Sequence, residues 1–367
     1  MSFRSNQDLP TTMQAVVCYG PQDYRLEERP VPRPGPGEVL VKVKSVGICA
    51  SDLKCYSGAP LFWGDKHRVG YCQPPVIPGH EFVAEVVAIG EGPENTRGDR
   101  LELGDLAVSE QIVPCWNCRY CQRGQYWMCQ EHDIYGFRQK AFGAMAEYMI
   151  FPANAINYKV PNSIPIEHAV YIEPLACSIH AVQRGNIEFG DVVVIAGAGP
   201  LGLGMIAAAR LKHPRLLIAL DLDDKRLEVA KACGADLGLN PRKLDVVDEV
   251  KKLTDGYGCD VYIEATGHPS AVEQGLHMIR KLGTFVEFSV MREPVTVDWT
   301  IIGDTKELNI HGSHLGPRCY PVAIDMLAKG LLPMEHIVTH QLPLAQFQQG
   351  IDLVASGDQS IKVTLQP

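Results

Sequence analysis

The stretch GDVVVIAGAGPLGLGMIAAARLK, residues 190–212, constrains the fold of this chain more than any other. Val192 to Ala196 is a short β-branched run, the composition of a buried parallel strand. Gly197, Gly199 and Gly202 follow as G-x-G-x-x-G, and LGMIAAARL continues as a helix. Alone, such a glycine pattern carries little. Between a strand and a helix it is a dinucleotide fingerprint. The glycines let backbone approach a pyrophosphate at the helix N-terminus, where N–H groups lack intrahelical partners. A second strand, LLIALD, ends at Asp221, nineteen residues past Gly202. A carboxylate there accepts hydrogen bonds from a ribose 2′-hydroxyl and repels a 2′-phosphate. Asp223 and Asp224 add negative charge nearby, so the expected cofactor is NAD rather than NADP. The bland alternative is a tight strand–helix turn in a sheet that binds nothing.

The βα rhythm continues. CDVYIEATG, 259–267, is another strand ending in a turn. SAVEQGLHMIRKLG is an amphipathic helix with Gly283 as its cap, and TFVEFSV is a further strand. This alternation predicts a doubly wound parallel sheet. Residues 14–160 are rich instead in short β-like runs, prolines and glycines, which predicts a separate barrel-like domain. Towards the C-terminus IDLVASG reads as a helix and IKVTLQP as a last strand. A chain of 367 residues has room for both domains.

The second constraint is CWNCRYCQRGQYWMC, residues 115–129. Cys115, Cys118, Cys121 and Cys129 follow C-x2-C-x2-C-x7-C. Whether they form a disulfide knot or a metal site depends on the compartment. The N-terminal MSFRSNQDLPTTMQ lacks the apolar core of a signal peptide. No run of about 18 apolar residues is present to span a bilayer. The expected compartment is the cytoplasm, where thiols stay reduced and clustered cysteines bind metal. Four thiolates complete a closed tetrahedral shell, the pattern of structural zinc. An iron–sulfur cluster is the alternative, and unligated cysteines the bland one. With 34 basic and 43 acidic residues and no basic run, the chain is poorly suited to nucleic acid or anionic membrane.

A mixed constellation lies elsewhere. Cys49 stands in GICASD, His80 and Glu81 in IPGHEF, and Glu173 in YIEPLACSIHA. A thiolate, an imidazole and a carboxylate make a three-ligand zinc shell with one open position, which is the catalytic pattern. Such a zinc acts as a Lewis acid on a substrate oxygen. The spacing is compatible with convergence and does not require it. Taken singly, Cys49 reads as a small buried hydrophobe, His80 as an ordinary histidine, and Glu173 as a carboxylate at a helix N-terminus.

Together, GICASD, GHE, the four-cysteine lobe, EPLA, GAGPLG and Asp221 stand in an order that resembles the zinc-containing medium-chain dehydrogenases over almost the whole chain. That resemblance implies an α/β architecture: a GroES-like β-rich catalytic domain with an inserted Rossmann doubly wound parallel sheet. The expected boundaries are 1–161 and 310–367 for the catalytic domain, with a zinc lobe at about 110–132, and 162–309 for the NAD-binding domain. Glu173 before Pro-Leu looks like the polyol branch, which includes sorbitol and xylitol dehydrogenases. GICASDLKCY, SEQIVPCWNC, GQYWMCQ, YGF and SAVEQGL are similar to bacterial dehydrogenases of four-carbon polyols such as erythritol and L-threitol.

By this resemblance Cys49, His80 and Glu173 hold catalytic zinc, and Glu81 is a nearby or transient ligand. Ser51 stands in the proton relay, and Asp52 orients the zinc histidine. Lys54 replaces a histidine that many relatives have at the outer end of that relay. Arg318, in HLGPRCYP, does not match the arginine of the sorbitol site, and APLFWGDKHRVGY between Cys49 and His80 is placed to cap a substrate pocket. The expected cofactor residues are Gly197, Gly199, Pro200, Leu201, Gly202, Asp221, Arg226 and Thr266. The expected activity is reversible NAD-dependent oxidation of a secondary hydroxyl of a small polyol, with two zinc ions per chain and a homo-oligomer, dimer or tetramer. The rivals are a simple alcohol, aldehyde or L-threonine dehydrogenase of the same fold, and a non-catalytic NAD-binding protein.

Overall fold

The computed structural model describes all residues except Met1, Ser2, Asn6, Gln7, Pro93, Glu94, Thr96, Arg292 and Asp358. Its contacts divide the chain into two units. The first comprises Met1–Glu173, Tyr320–Ala328 and Val338–Pro367, and the second Pro174–Cys319 and Lys329–Ile337.

The first unit is built on an eight-stranded sheet. Its main path runs through Asn157–Lys159, Leu106–Ser109, Glu81–Gly90, Val39–Ile48, Lys362–Gln366 and Val338–Pro343. VLVKVKSVGI and EFVAEVVAIG are rich in β-branched residues and mostly buried, as central strands require. They pair antiparallel, with Gly47 opposite Glu81 and register shifts between Leu40 and Val41 and between Val43 and Ser45. The C-terminal strand pairs antiparallel with the other side of Val39–Ile48, with Val363 opposite Ile48. One end of this sheet therefore gathers Gly47 to Cys49, His80 to Glu81, and Lys362.

The second unit holds a six-stranded, fully parallel sheet. Its order is Leu237–Leu239, Leu216–Leu220, Val192–Ala196, Cys259–Glu264, Ile279–Glu287 and Asn309–Gly312. The first strand in sequence lies inside the sheet and the winding reverses beside it, the place where open α/β sheets bind ligands. Val192, Val194, Ile218, Val250, Tyr262 and Phe285 belong to the core under one face.

One expectation changes here. The helix before the fifth strand runs Pro269–Met278 and stops short of Gly283. Ile279 already pairs with Cys259, and the ladder then slips so that Val261 faces Thr284. Gly283 thus lies in an irregular strand and caps nothing. Asn309–Gly312 continues the parallel ladder beside Thr284–Glu287. By its contacts the first unit runs to Glu173 and takes up the chain again at Tyr320–Ala328 and Val338–Pro367.

Candidate metal and dinucleotide sites

The sulfurs of Cys115, Cys118, Cys121 and Cys129 all lie within 4.8 Å of one another. Short turns bring them there. Cys118 precedes the one-turn helix Arg119–Gln122, and Cys129 ends the 3-10 turn Tyr126–Met128. Backbone N–H groups point at the sulfurs: Cys115 N donates to Cys129 Sγ at 3.3 Å and Gln130 N to Cys118 Sγ at 3.4 Å. The N–H groups of Gln130 and Cys121 lower the Cys118 thiol to about 6. Four sulfurs served by N–H donors suit a thiolate-bound ion, and the set fits zinc. The lobe is fastened from outside. Tyr126 donates to both oxygens of Glu110 at 2.9 Å. The Arg97 guanidinium lies 3.7 Å from the Trp116 ring centre, and Trp116 Nε1 donates to Asn154 O at 2.8 Å.

Ligand atoms of Cys49, His80 and Glu81 likewise lie within 4.8 Å of one another. Cys49 caps the helix Ala50–Tyr56, and His80 immediately precedes the strand that Glu81 begins. Asp52 is buried between them. Its Oδ2 accepts from Cys49 N at 2.8 Å, and its Oδ1 stands 3.7 Å from His80 Nδ1. Neither of those last two atoms has a hydrogen-bond partner, and on the other side of the ring His80 Nε2 stands 3.4 Å from Ser51 Oγ. Burial opposes the charged form of His80. Even so, the negative groups around it, Asp52 foremost and Cys49 and Glu173 after it, hold its pKa well above the ordinary value. The cluster thus carries a surplus of buried negative charge. That surplus, with one sulfur, one nitrogen and carboxylate oxygen as donors, fits a zinc ion with an open position.

Glu81 forms an ion pair with Lys362, whose ammonium also donates to Ile48 O at 3.2 Å. Gly47 is required here: a Cβ on it would collide with the Glu81 carboxylate and reach 3.0 Å from Lys362 Cε. Glu173, in the first turn of Ile172–Arg184, is buried, and its Oε1 accepts from Gln111 Nε2. Among the described residues it stands outside the three-residue group, which Glu81 completes, but its charge acts on both His80 and Lys362. Lys54 follows Ser51 on the same helix and is partly buried, and its carbonyl accepts from Ala59 N at 3.0 Å. The first unit alone thus contains Cys49, Ser51, Asp52, Lys54, His80, Glu81 and Glu173.

In the second unit the glycine turn has the geometry its residues predict. Gly197 sits at φ +102, and a Cβ there would lie 2.8 Å from Ala265 O. A Cβ on Gly202 would collide with the Gly197 carbonyl. The helix Pro200–Arg210 starts at Gly199 with no side-chain cap, so its first N–H groups are presented to an anion. Pro200 opens the helix, where its missing N–H costs nothing, and Leu201 follows it. Asp221 follows the strand Leu216–Leu220, with Oδ2 accepting from Ala198 N at 2.7 Å and Oδ1 from Asp223 N at 2.9 Å. Its carboxylate is thereby held against the turn. Arg226 Nη1 comes within 3.9 Å of the Cβ position of Gly199, and the Thr266 methyl within 3.2 Å of that of Gly197. Thr266 Oγ1 also donates to Glu264, which fixes its turn. The donors fit a dinucleotide.

Three residues escaped sequence reasoning: Gln111, Tyr320 and Lys362. Of these only Lys362 leaves a trace in sequence, as a charge in the strand KVTLQ, whose first four residues are buried.

Comparison with known proteins agrees with this construction. The alcohol dehydrogenase GroES-like domain model matches residues 35–162 and the zinc-binding dehydrogenase model residues 200–329. An erythritol/L-threitol dehydrogenase of Mycolicibacterium smegmatis is 57% identical over 363 residues, covering 99% of each chain. An L-threonine 3-dehydrogenase of Pyrococcus horikoshii is 39% identical, covering 96% of this chain and 97% of its own. A short-chain alcohol dehydrogenase from Escherichia coli CFT073, solved with NADH, superposes with a TM-score of 0.84 at 30% identity, covering 98% of this chain and 100% of its own. The chain belongs to the zinc-binding dehydrogenase family.

Proposed function

We propose that this protein oxidises a secondary hydroxyl of a small polyol to the ketose, reversibly, with NAD as acceptor, and that its substrate is a tetritol such as erythritol or L-threitol. The observation that carries the reading is the buried set of Asp52, Glu81 and Glu173 around one thiol and one imidazole. Carboxylates held this close to the ion keep the site polar, which suits a substrate with several hydroxyls better than a plain alkanol. The full-length likeness to an erythritol/L-threitol dehydrogenase supports it.

Bound zinc supplies Lewis acidity at a substrate hydroxyl, and NAD supplies the hydride acceptor. The chain's own residues do the rest. Cys49, His80 and Glu173 hold the ion, with Glu81 as a nearby carboxylate that Lys362 restrains. Asp52 fixes the imidazole of His80. The Ser51 hydroxyl relays the proton lost by the substrate, accepting it as it passes its own proton outward, and Lys54 stands at the outer end of that route. Cys115, Cys118, Cys121 and Cys129 hold a second zinc. Gly197, Gly199, Pro200, Leu201 and Gly202 receive the pyrophosphate, Asp221 the ribose, and Arg226 and Thr266 flank the dinucleotide.

The protein acts as a homo-oligomer in the cytoplasm; no helix of the described residues is long and apolar enough to cross a membrane. A panel of erythritol, L-threitol, sorbitol, L-threonine, ethanol and butanol with NAD, followed at the nicotinamide absorbance, tests the reading. Tetritols should give the highest kcat/KM. A clear preference for L-threonine or for ethanol sinks the polyol assignment.

A further inference from the structure

Gln111 lies in the short break between the strands Leu106–Ser109 and Ile112–Val113, and it is buried. Its backbone N–H donates to Tyr320 Oη at 3.1 Å. The same phenol donates its proton to Gln111 Oε1 at 3.0 Å. One tyrosine thus holds both the backbone and the side chain of a single glutamine. That leaves only one orientation for the amide. A phenol oxygen that already accepts from an N–H has its proton to give, and it gives it to a carbonyl oxygen. The Gln111 NH2 group must therefore face away from Tyr320, and there it donates to Glu173 Oε1. The flipped amide would set its carbonyl oxygen against the carboxylate, acceptor on acceptor, and both groups are buried where that is costly.

Tyr320 is itself fixed. It begins the helix Tyr320–Ala328 and is fully buried, and its ring stacks on Tyr158 at 5.7 Å. Tyr158 donates to Glu110 Oε1 at 3.0 Å, the carboxylate that also accepts from Tyr126 of the cysteine lobe. Every polar group along this line is oriented by its neighbour.

We propose that Gln111, locked by Tyr320, is the positioning residue for Glu173. It holds that carboxylate in one orientation towards the mixed-ligand site, where its charge already acts on His80, and so sets the metal affinity of that site. The proposal rests on the reading of Glu173 as a metal ligand. Groups that hydrogen-bond a ligand typically change metal affinity by about 10–100-fold when removed.

The test uses the full-length protein loaded with metal, in four forms: native, Gln111→Leu, Tyr320→Phe and Glu173→Gln. Metal per chain is measured by elemental analysis after dialysis against graded chelator. The visible absorption of the cobalt-substituted mixed-ligand site is recorded alongside. Gln111→Leu should keep the cysteine-lobe metal, release the other at about 10–100-fold lower chelator concentration, and change the cobalt spectrum. Its kcat should fall while KM for NAD stays unchanged. Tyr320→Phe, which frees the amide without removing it, should shift chelator sensitivity the same way by less. If Gln111→Leu does not fold, Tyr320→Phe alone decides: native chelator resistance and an unchanged spectrum overturn the proposal. Native metal retention in Gln111→Leu does so as well. If Glu173→Gln keeps full metal and activity, the ligand reading fails first. If Glu173→Gln loses metal and Gln111→Leu does not, the ligand reading stands and the positioning role is wrong.

Discussion

Lys362 is an ammonium at 1% exposure in the last strand of the chain, paired with a carboxylate, Glu81, that is equally buried. Taking both charges from water is expensive, and their attraction offsets that cost only while both are present. Removing one leaves the other stranded. Lys362→Met should lower the free energy of unfolding by about 3 kcal/mol or more, whereas Lys362→Met with Glu81→Gln should cost clearly less. Urea denaturation of both variants checks this, and equal losses would mean the pair is not coupled. Asp221 gives the second residue-scale prediction. Its carboxylate accepts from Ala198 N–H beside the glycine turn, and the ribose is its proposed partner. The native protein should prefer NAD over NADP, and Asp221→Ala should narrow the ratio of the two kcat/KM values by about tenfold or more, the scale of one or two kcal/mol for hydrogen bonds to a charged group. Native preference for NADP would reject this role. The residues of the site with a local signature were legible: Cys49, His80, the cysteines and the glycines. Gln111 and Tyr320 were not, because their role depends on a contact across 209 positions of sequence, which no spacing encodes.

At the scale of elements, the sequence was most informative where local and tertiary preferences agree. VVVIA forms the strand Val192–Ala196 as its β-branched composition requires, and the glycine turn follows because only glycine fits at Gly197 and Gly202. Reading failed at HMIRKLG. Its apolar spacing continues the helical period, but a parallel partner, Cys259, captures Ile279 and ends the helix at Met278. The cysteine lobe is a different case. Its regular structure is one helical turn and one 3-10 turn, and its fastening comes from Tyr126 on Glu110 and Arg97 on Trp116. Elements this short have little stability of their own. Thiolate–zinc bonds contribute folding energy directly, on the order of 10 kcal/mol in small zinc-binding peptides. Cys118→Ser should lose one metal equivalent of two, lower Tm markedly, and open residues 115–131 to limited proteolysis. Native protein that is fully active with one equivalent or none would remove the two-metal picture.

The whole molecule poses the question of assembly. The parallel sheet of the second unit ends on one side at Asn309–Gly312, whose residues are largely exposed. Ile310 on that strand is 43% exposed, and Trp299, earlier in the chain, is 75% exposed. An edge strand presents a row of backbone donors and acceptors, which pair readily with another chain unless blunted by charge, proline or cover. NIHG carries no proline and no formal charge besides a histidine. Two copies related by a twofold axis would lay identical strands side by side in antiparallel order, continuing the sheet and covering both isoleucines, a closed and self-complementary contact. The native protein should therefore sediment as a dimer or a multiple of one at micromolar concentration. Ile310→Lys places a like charge on each side of that seam, where opposing lysines repel, and should shift sedimentation towards the monomer while leaving both metal equivalents bound. A native monomer under these conditions would reject the homo-oligomer. A variant that stays fully dimeric would keep the oligomer and move its interface away from this edge.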